Sequence, residues 1–422
     1  MPLHQLEDWL AHLERLHPKT IELGLERVRA VQAQLQLYPT IPILTVGGTN
    51  GKGSTCAFLE ASLLAAGYRV GCYTSPHLIH YNERVRIDGR MLDDQALCAG
   101  FAAVEAARGE QALTYFEFGT LAAVWAFHQA QLDVMVLEVG LGGRLDAVNV
   151  FEPSVAIVTT VDLDHQEYLG DTREKIGFEK AGIFRAQRPA ICADADPPAS
   201  LVQHAESCGA QLLRYGEDFG AQLTAESWTY WGLQGPRPAL PFPSMRGQQQ
   251  IANAAAAIAA MECLREQLPL TQAQIRSGLL SARLPGRFQV LPGKPTVILD
   301  VAHNPQAARI LADNLRQQWV SGKTYAVFGM LQDKDIAGVI AAVKDQIDAW
   351  CVGDLSGPRG ANAAALQALL QQSAQNVEIV AADIAEAYRF ACREAGEDDR
   401  ICVFGSFHTV AEVLILRGAK TE

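Results

Sequence analysis

Apolar residues recur every three or four positions at Leu3, Leu6, Leu10, Leu13 and Leu16, which predicts an amphipathic helix at the start of the chain, and Ile21 to Leu35 continues the helical pattern. The period then shortens. Ile43-Leu44-Thr45-Val46, Tyr68 to Tyr73, Leu132 to Val139 and Ser154 to Thr160 read as short buried strands, separated by helical patterns such as Cys56 to Ala66. Such alternation predicts an α/β fold around a parallel sheet covered on both faces. Ligands of a sheet of this kind sit at the carboxyl ends of its strands, and that is where the polar residues of this chain gather.

From Leu212 to Pro243 the pattern turns to tryptophan, proline and glycine, which suggests a small antiparallel elaboration. An alanine-rich helix, Ile251 to Met261, follows. Pro285-Gly286 and Pro292-Gly293 then bracket an expected hinge or linker. Beyond it Thr296 to Asp300, Tyr325 to Phe328, Ala349 to Val352 and Ile401 to Phe404 alternate with helical stretches, so a second α/β domain is expected.

Composition adds bounds. A chain of 422 residues, 49% apolar and 19% charged, is long enough for two soluble globular domains. No apolar run is long enough to suggest a membrane span, and Met1 to Leu10 lacks the basic start of a signal peptide, so we expect a cytoplasmic protein with no membrane partner. The nine cysteines are scattered without a C-x-x-C pair and are expected to be small core residues. A net charge of −12 argues against a nucleic-acid partner, and any anionic substrate must be held by local cations and helix N-termini.

Gly48-Thr49-Asn50-Gly51-Lys52-Gly53-Ser54-Thr55 lies between the first strand and a helix. Glycines there let backbone N–H groups reach phosphate oxygens, the helix dipole favours the anion, and a lysine reaches the outer phosphates. Turn chemistry alone requires positive φ, not a cation. The loop departs from the common phosphate-loop spacing, because Val46 stands five residues before Gly51 and Gly53 separates Lys52 from the first hydroxyl, Ser54.

Nucleoside triphosphate chemistry calls for magnesium and oxygen ligands. Glu138 at a strand end could supply one; it could also be a solvent-facing strand-end residue. Ser75, before Pro76, reads equally as a turn residue, and His165, after Asp164, as a structural histidine. Lys180, in Glu179-Lys180-Ala181-Gly182, has the pattern of a helix C-terminal charge facing water. In the second domain Asp300-Val301-Ala302-His303-Asn304-Pro305 and Ser406-Phe407-His408 leave strands and enter helices, where N–H groups could hold a carboxylate, although Asn304 and Ser406 would serve as ordinary N-caps. Arg287 lies by the expected linker.

These stretches, together with Glu138 to Asp146, Glu179 to Ile183 and Leu284-Pro285-Gly286-Arg287-Phe288, resemble the folylpolyglutamate synthases, and more closely the bacterial branch that is bifunctional as dihydrofolate synthase. The likeness runs from about Leu6 to about Val413. It implies a Mur-ligase-like P-loop ATPase domain over 1–288, a linker over 289–295 and a Rossmann-like glutamate-binding domain over 296–422, with ATP in the cleft. It also implies roles. Thr49, Asn50, Gly51, Lys52, Gly53 and Ser54 would hold the phosphates, with Asn253, Arg287 and Asp300 as further ATP contacts. Ser75, Glu138 and His165 would bind magnesium, and a carbamylated Lys180 would serve a second ion. Glu22-Leu23-Gly24-Leu25, Thr114-Tyr115-Phe116-Glu117 and Leu145-Asp146-Ala147 would form the dihydropteroate site, whereas Tyr115 and Phe116 read on their own as core. Val148 stands where the family pattern has threonine. His303 and Ser406 would hold L-glutamate.

The implied reaction joins glutamate to dihydropteroate, or to a reduced folate, through an acyl phosphate made from ATP, with Lys52, Lys180, His165 and Arg287 at the chemistry and the protein acting as a monomer. A monofunctional folylpolyglutamate synthase is the alternative. Peptidoglycan Mur ligases share the acyl-phosphate chemistry but carry a nucleotide-sugar domain ahead of the loop, which the short stretch before Gly48 is not expected to form. A non-catalytic nucleotide switch would need no second domain with glutamate-type donors.

Overall fold

The computed structural model of the chain describes residues 5–17, 19 and 21–418. It divides into two compact units, Met1–Ser244 with Gln250–Arg283, and Met245–Gln249 with Leu284–Glu422. The first unit is built on eight strands: β1 (Ile43–Gly47), β2 (Val70–Tyr73), β3 (Val85–Ile87), β4 (Arg90–Met91), β5 (Val134–Glu138), β6 (Val155–Val158), β7 (Pro189–Cys192) and β8 (Gln211–Arg214). They lie in the order β4-β3-β2-β5-β1-β6-β7-β8. From β2 to β8 every neighbouring pair is parallel, and β3 and β4 add an antiparallel edge.

Register places the site. Val46 of β1 pairs with Glu138 on one side and Ile157 on the other, and Tyr73 pairs with Leu137, so the residues that follow β1, β2, β5 and β6 leave the sheet side by side. β1 and β5 are buried along their whole length, which is why their sequence reads as a near-continuous apolar run. The helix Lys52–Ala65 is also buried on most of its faces, with Cys56, Phe58, Leu59 and Leu63 inside. Helices Leu6–Leu16 and Asp94–Arg108 carry Trp9 and Phe101 into one core, their rings 5.9 Å apart.

Strands β9 (Gly220–Leu223), β10 (Trp228–Trp231) and β11 (Arg237–Leu240) form a separate antiparallel sheet. It is tied to the alanine-rich helix Gln248–Cys263 through Glu262, which accepts from Tyr230 Oη at 2.9 Å and from Arg237 Nε at 2.8 Å.

The second unit has β12 (Gln289–Leu291), β13 (Thr296–Leu299), β14 (Thr324–Phe328), β15 (Ala349–Gly353), β16 (Val377–Ala381) and β17 (Arg400–Phe404) in the order β12-β13-β17-β14-β15-β16. All neighbours are parallel except β12 with β13. Phe328, Trp350 and Phe404 stack at its centre with ring separations of 5.0 to 6.0 Å.

Several expectations are corrected. The second helix starts at Glu26, not Ile21, because Gly24 lies at φ 154° and its N–H bonds outward to Leu145 O at 3.3 Å. Leu3 lies outside the described residues. The segment read as a linker, 289–295, begins as strand β12, and the second unit takes in the chain from Leu284. Residues 211–214 join the main sheet, so the small elaboration starts only at Gly220. Five cysteines are buried, but Cys392 is exposed and Cys98, Cys208 and Cys263 are half-buried. Among the described residues no helix is long and apolar enough to cross a membrane.

Candidate active site

The glycine-rich loop is shaped by β6. Thr49 N donates to Thr160 O at 2.7 Å, Thr49 Oγ1 to Asp162 O at 3.1 Å, Asn50 N to Thr160 Oγ1 at 3.1 Å and Thr159 Oγ1 to Asn50 O at 2.6 Å. Thr159 and Thr160 were not singled out as site residues in the sequence; the signal is two hydroxyls closing an apolar strand beside a second polar loop. Gly51 at φ 90° is the N-cap, and Gly53 and Ser54 are buried in the first helical turn. Lys52 Nζ donates back to Gly48 O at 3.1 Å and Thr49 O at 3.3 Å, which holds its charge over the loop. Asn253 is 1% exposed and donates through Nδ2 to Gln250 Oε1 at 3.1 Å, yet its Oδ1 is buried with no hydrogen-bond partner. An acceptor left this way costs about 1–3 kcal/mol, so the atom suits a ligand donor beside Gly51.

Glu138 is 3% exposed, which excludes the solvent-facing reading. Its Oε2 accepts from Ser75 N at 3.1 Å, bringing two of the expected magnesium residues together. His165 sits in the left-handed region at φ 50°, an uncommon state for a non-glycine residue and one found at functional sites. Its Nε2 lies 3.9 Å from Asp164 Oδ2. Lys180, also 3% exposed, does not face water. Burial, then the nearby charge of Lys52, pushes its ammonium down to about 7, against the pull of Asp164 and Asp146. Among the described residues no three His, Cys, Asp or Glu side chains converge as a metal group. The hydroxyl and carboxylate of Ser75 and Glu138 nevertheless fit magnesium, which takes few protein oxygens and fills its shell with water and phosphate.

The three segments expected around a pterin converge. Gly24 of the first segment meets Leu145 of the third, and Arg27, which the sequence reading missed, ties the first to the second by donating from Nη2 to Glu22 O and to Glu117 Oε1, each at 2.9 Å. Thr114 and Glu117 form the capping box of helix Tyr115–Gln129, while Tyr115 and Phe116 are half-buried, with the Phe116 ring 5.9 Å from Tyr73. Glu22 lies 3.2 Å from His17 Nε2; Leu23 is half-buried and Leu25 buried. Asp146 is buried next to Ala147, and burial pushes its carboxyl up to about 7 although the N–H groups of Leu141 and Val148 donate to it at 2.8 and 3.0 Å.

In the second unit β13 and β17 are neighbours, so 300–304 and 405–408 emerge together. Asp300 accepts from Phe288 N and Ala302 N at 2.8 Å, and burial raises its carboxyl against the pull of Arg287. The Arg287 guanidinium lies 5.2 Å from the Phe407 ring, and His303 stands 6.0 Å from that ring on Nδ1 contact with Val301 O at 2.8 Å. Asn304 and Ser406 are N-caps, accepting from Ala307 N and His408 N. The Ser406 hydroxyl keeps its own proton to donate.

A strand, glycine-rich loop and helix in one unit and paired strand-to-helix turns in the other are the parts of a Mur ligase. Residues 46–261 match the Mur ligase middle domain, and 286–407 match the Mur ligase glutamate ligase domain. The dihydrofolate synthase/folylpolyglutamate synthase of Escherichia coli strain K12 is 47% identical over 410 residues, 97% of this chain and 94% of that protein. A solved structure of E. coli FolC with DHPP and ADP superposes at a TM-score of 0.94, 46% identical over 100% of both chains. Another, a bifunctional folylpolyglutamate synthase/dihydrofolate synthase with Mn, AMPPNP and L-glutamate bound, does so at 0.92, 46% identical over 99% of both. The chain belongs to the Mur ligase family and, inside it, to the dihydrofolate synthase/folylpolyglutamate synthases.

Proposed function

We propose that this chain is an ATP-dependent ligase that adds L-glutamate to dihydropteroate, giving dihydrofolate, and to reduced folates, giving folylpolyglutamates. The observation that carries the reading is the loop Gly48–Ser54, with Lys52 folded over it, in a chain whose second unit matches a glutamate ligase domain. An amine does not displace hydroxide from a carboxylate, so the acid is first activated. Its oxygen attacks the γ-phosphorus of ATP, ADP leaves, the amine of glutamate attacks the acyl carbon, and phosphate departs. Lys52 and the N–H groups of the loop hold the transferring phosphoryl group and neutralise its charge.

Ser75, Glu138 and His165 would hold magnesium, and a carbamate on Lys180 would hold a second ion; bound there, the metal offsets phosphate charge. A buried amine held near neutrality can attack carbon dioxide, forming an N–C bond and releasing a proton, which supports that modification. The nucleotide roles of Asn253, Arg287 and Asp300 rest on the family resemblance, as does glutamate binding by His303 and Ser406. The 47% identity to a dihydrofolate synthase/folylpolyglutamate synthase over 97% of the chain favours the bifunctional enzyme over a monofunctional folylpolyglutamate synthase. We also propose that the protein works as a monomer in the cytoplasm. Purified protein with ATP, magnesium and glutamate, given dihydropteroate or tetrahydrofolate, tests it by product mass: both acids should gain glutamate, and a gain on tetrahydrofolate alone would leave the monofunctional alternative.

A further inference from the structure

Arg86, on strand β3, spends all five of its donors inside the protein. Nε and Nη2 hold Glu60, a 7% exposed carboxylate of helix Lys52–Ala65, at 2.8 to 3.1 Å. Nη1 donates to Thr74 Oγ1 at 3.1 Å and to Glu83 O at 2.8 Å, and Nη2 also reaches Cys72 Sγ at 3.2 Å. The two ends of this tie matter. Glu60 belongs to the helix whose first residue is Lys52, and Thr74 precedes Ser75, whose N–H is held by Glu138. Glu83, whose carbonyl Arg86 holds, orders the rest of the same loop: its carboxylate accepts from Leu78 N, Ile79 N and His80 N at 2.7 Å.

We propose that Arg86 is a positioning residue, one guanidinium that sets the Thr74–Ser75 turn at a fixed place against the helix carrying Lys52. A planar fork can hold a carboxylate and a hydroxyl at once, whereas a lysine offers a point charge. The inference rests on the reading of Lys52, Ser75 and Glu138 as a phosphate and metal site. Arg86 itself touches no ligand in that scheme and acts through Thr74 and Glu60.

The test is calorimetric titration of the full chain with AMPPNP, with and without Mn2+. Thr74→Val removes only the hydroxyl and leaves the Arg86–Glu60 pair intact. We expect it to cut the metal-dependent gain in nucleotide affinity by about tenfold or more, the usual effect of losing a group that orients a metal ligand, with the metal-free affinity within about twofold. Its thermal midpoint should stay within about 2 °C of the parent, and Thr74→Ser should restore the gain. Arg86→Lys should show the same metal-specific loss. A full metal gain in Thr74→Val, with Arg86→Lys lowering only the thermal midpoint, would make Arg86 a stabiliser of the fold and overturn the proposal. Absence of any metal gain in the parent protein would instead remove the phosphate-site reading, and the proposal with it.

Discussion

Asn253 holds its side-chain oxygen 2.5 Å from the point where a Cβ on Gly51 would stand, and Gly51 lies at φ 90°. Both facts exclude a side chain there. We expect Gly51→Ala to cost about 1–3 kcal/mol through the backbone conformation alone and to weaken nucleotide binding, because the loop must shift away from Asn253. In Gly51→Ala with Asn253→Ala the contact is gone but the strained φ remains, so stability should not recover fully, and nucleotide affinity should stay low because Asn253 is itself placed in the nucleotide site. Equal nucleotide affinity in Gly51→Ala and the parent would show that this loop is not the phosphate cradle.

Lys52 is held by two carbonyls of its own loop, and the buried carboxylate that feels its charge, Asp146, is also held by the N–H groups of Leu141 and Val148. Lys52→Ala should therefore fold normally and lose at least ~10²-fold in ligase turnover, the scale of deleting one preorganised group that stabilises developing charge. Circular dichroism and the mass-based product assay check the two halves. Near-normal turnover in a folded variant would move the phosphate site elsewhere.

Lys180 yields a prediction with a sign. Its folded amine titrates at about 7 against the ordinary 10.5, so below pH 7 both folded and unfolded chains carry the proton and burial of the charge costs its full amount, a few kcal/mol at about 1.4 kcal/mol per pKa unit. Between pH 7 and 10.5 only the unfolded chain keeps that proton, and the cost fades as pH rises. Lys180→Met in carbon-dioxide-free buffer should be inactive yet more stable than the parent at pH 7, with the advantage vanishing towards pH 10.5. Denaturant titrations across this range decide it; a pH-independent difference would mean that the charge is not what burial penalises.

How far the chain announces all this differs by element. The strands β1, β5 and β6 were legible because burial on both faces leaves apolar runs, and the phosphate loop because glycine and lysine have few other reasons to meet there. Lys180 was not legible: a lysine before a glycine looks like a solvated helix end, and the groups that act on its buried amine, Lys52, Asp164 and Asp146, come from other segments of the chain. The same is true of Arg27 and Arg86, whose partners stand 90 and 26 residues away. Residues 289–295 misled for another reason. Paired Pro-Gly dipeptides mark turns, and here they flank a three-residue strand that antiparallel pairing with β13 stabilises, a partner that local pattern cannot reveal.

The last prediction separates glutamate from nucleotide in the second unit. His303 and Arg287 lie about one aromatic ring, Phe407, so either could serve either ligand on proximity alone. Contact of Nδ1 with Val301 O orients the His303 imidazole beside the Ser406 turn, which leaves the neighbouring strand. Two adjacent helix N-termini favour a carboxylate, as a chain of −12 net charge requires of any anion site. Since the acyl phosphate forms before glutamate attacks, His303→Ala should raise the Michaelis constant for glutamate about tenfold or more, the worth of one charge-assisted hydrogen bond, and leave that for ATP within about twofold. Steady-state kinetics with each substrate varied in turn measures both. If the ATP constant rose and the glutamate constant stayed, His303 would belong with Arg287 to the nucleotide, and glutamate recognition would fall to Ser406 and the helix N-terminus it caps.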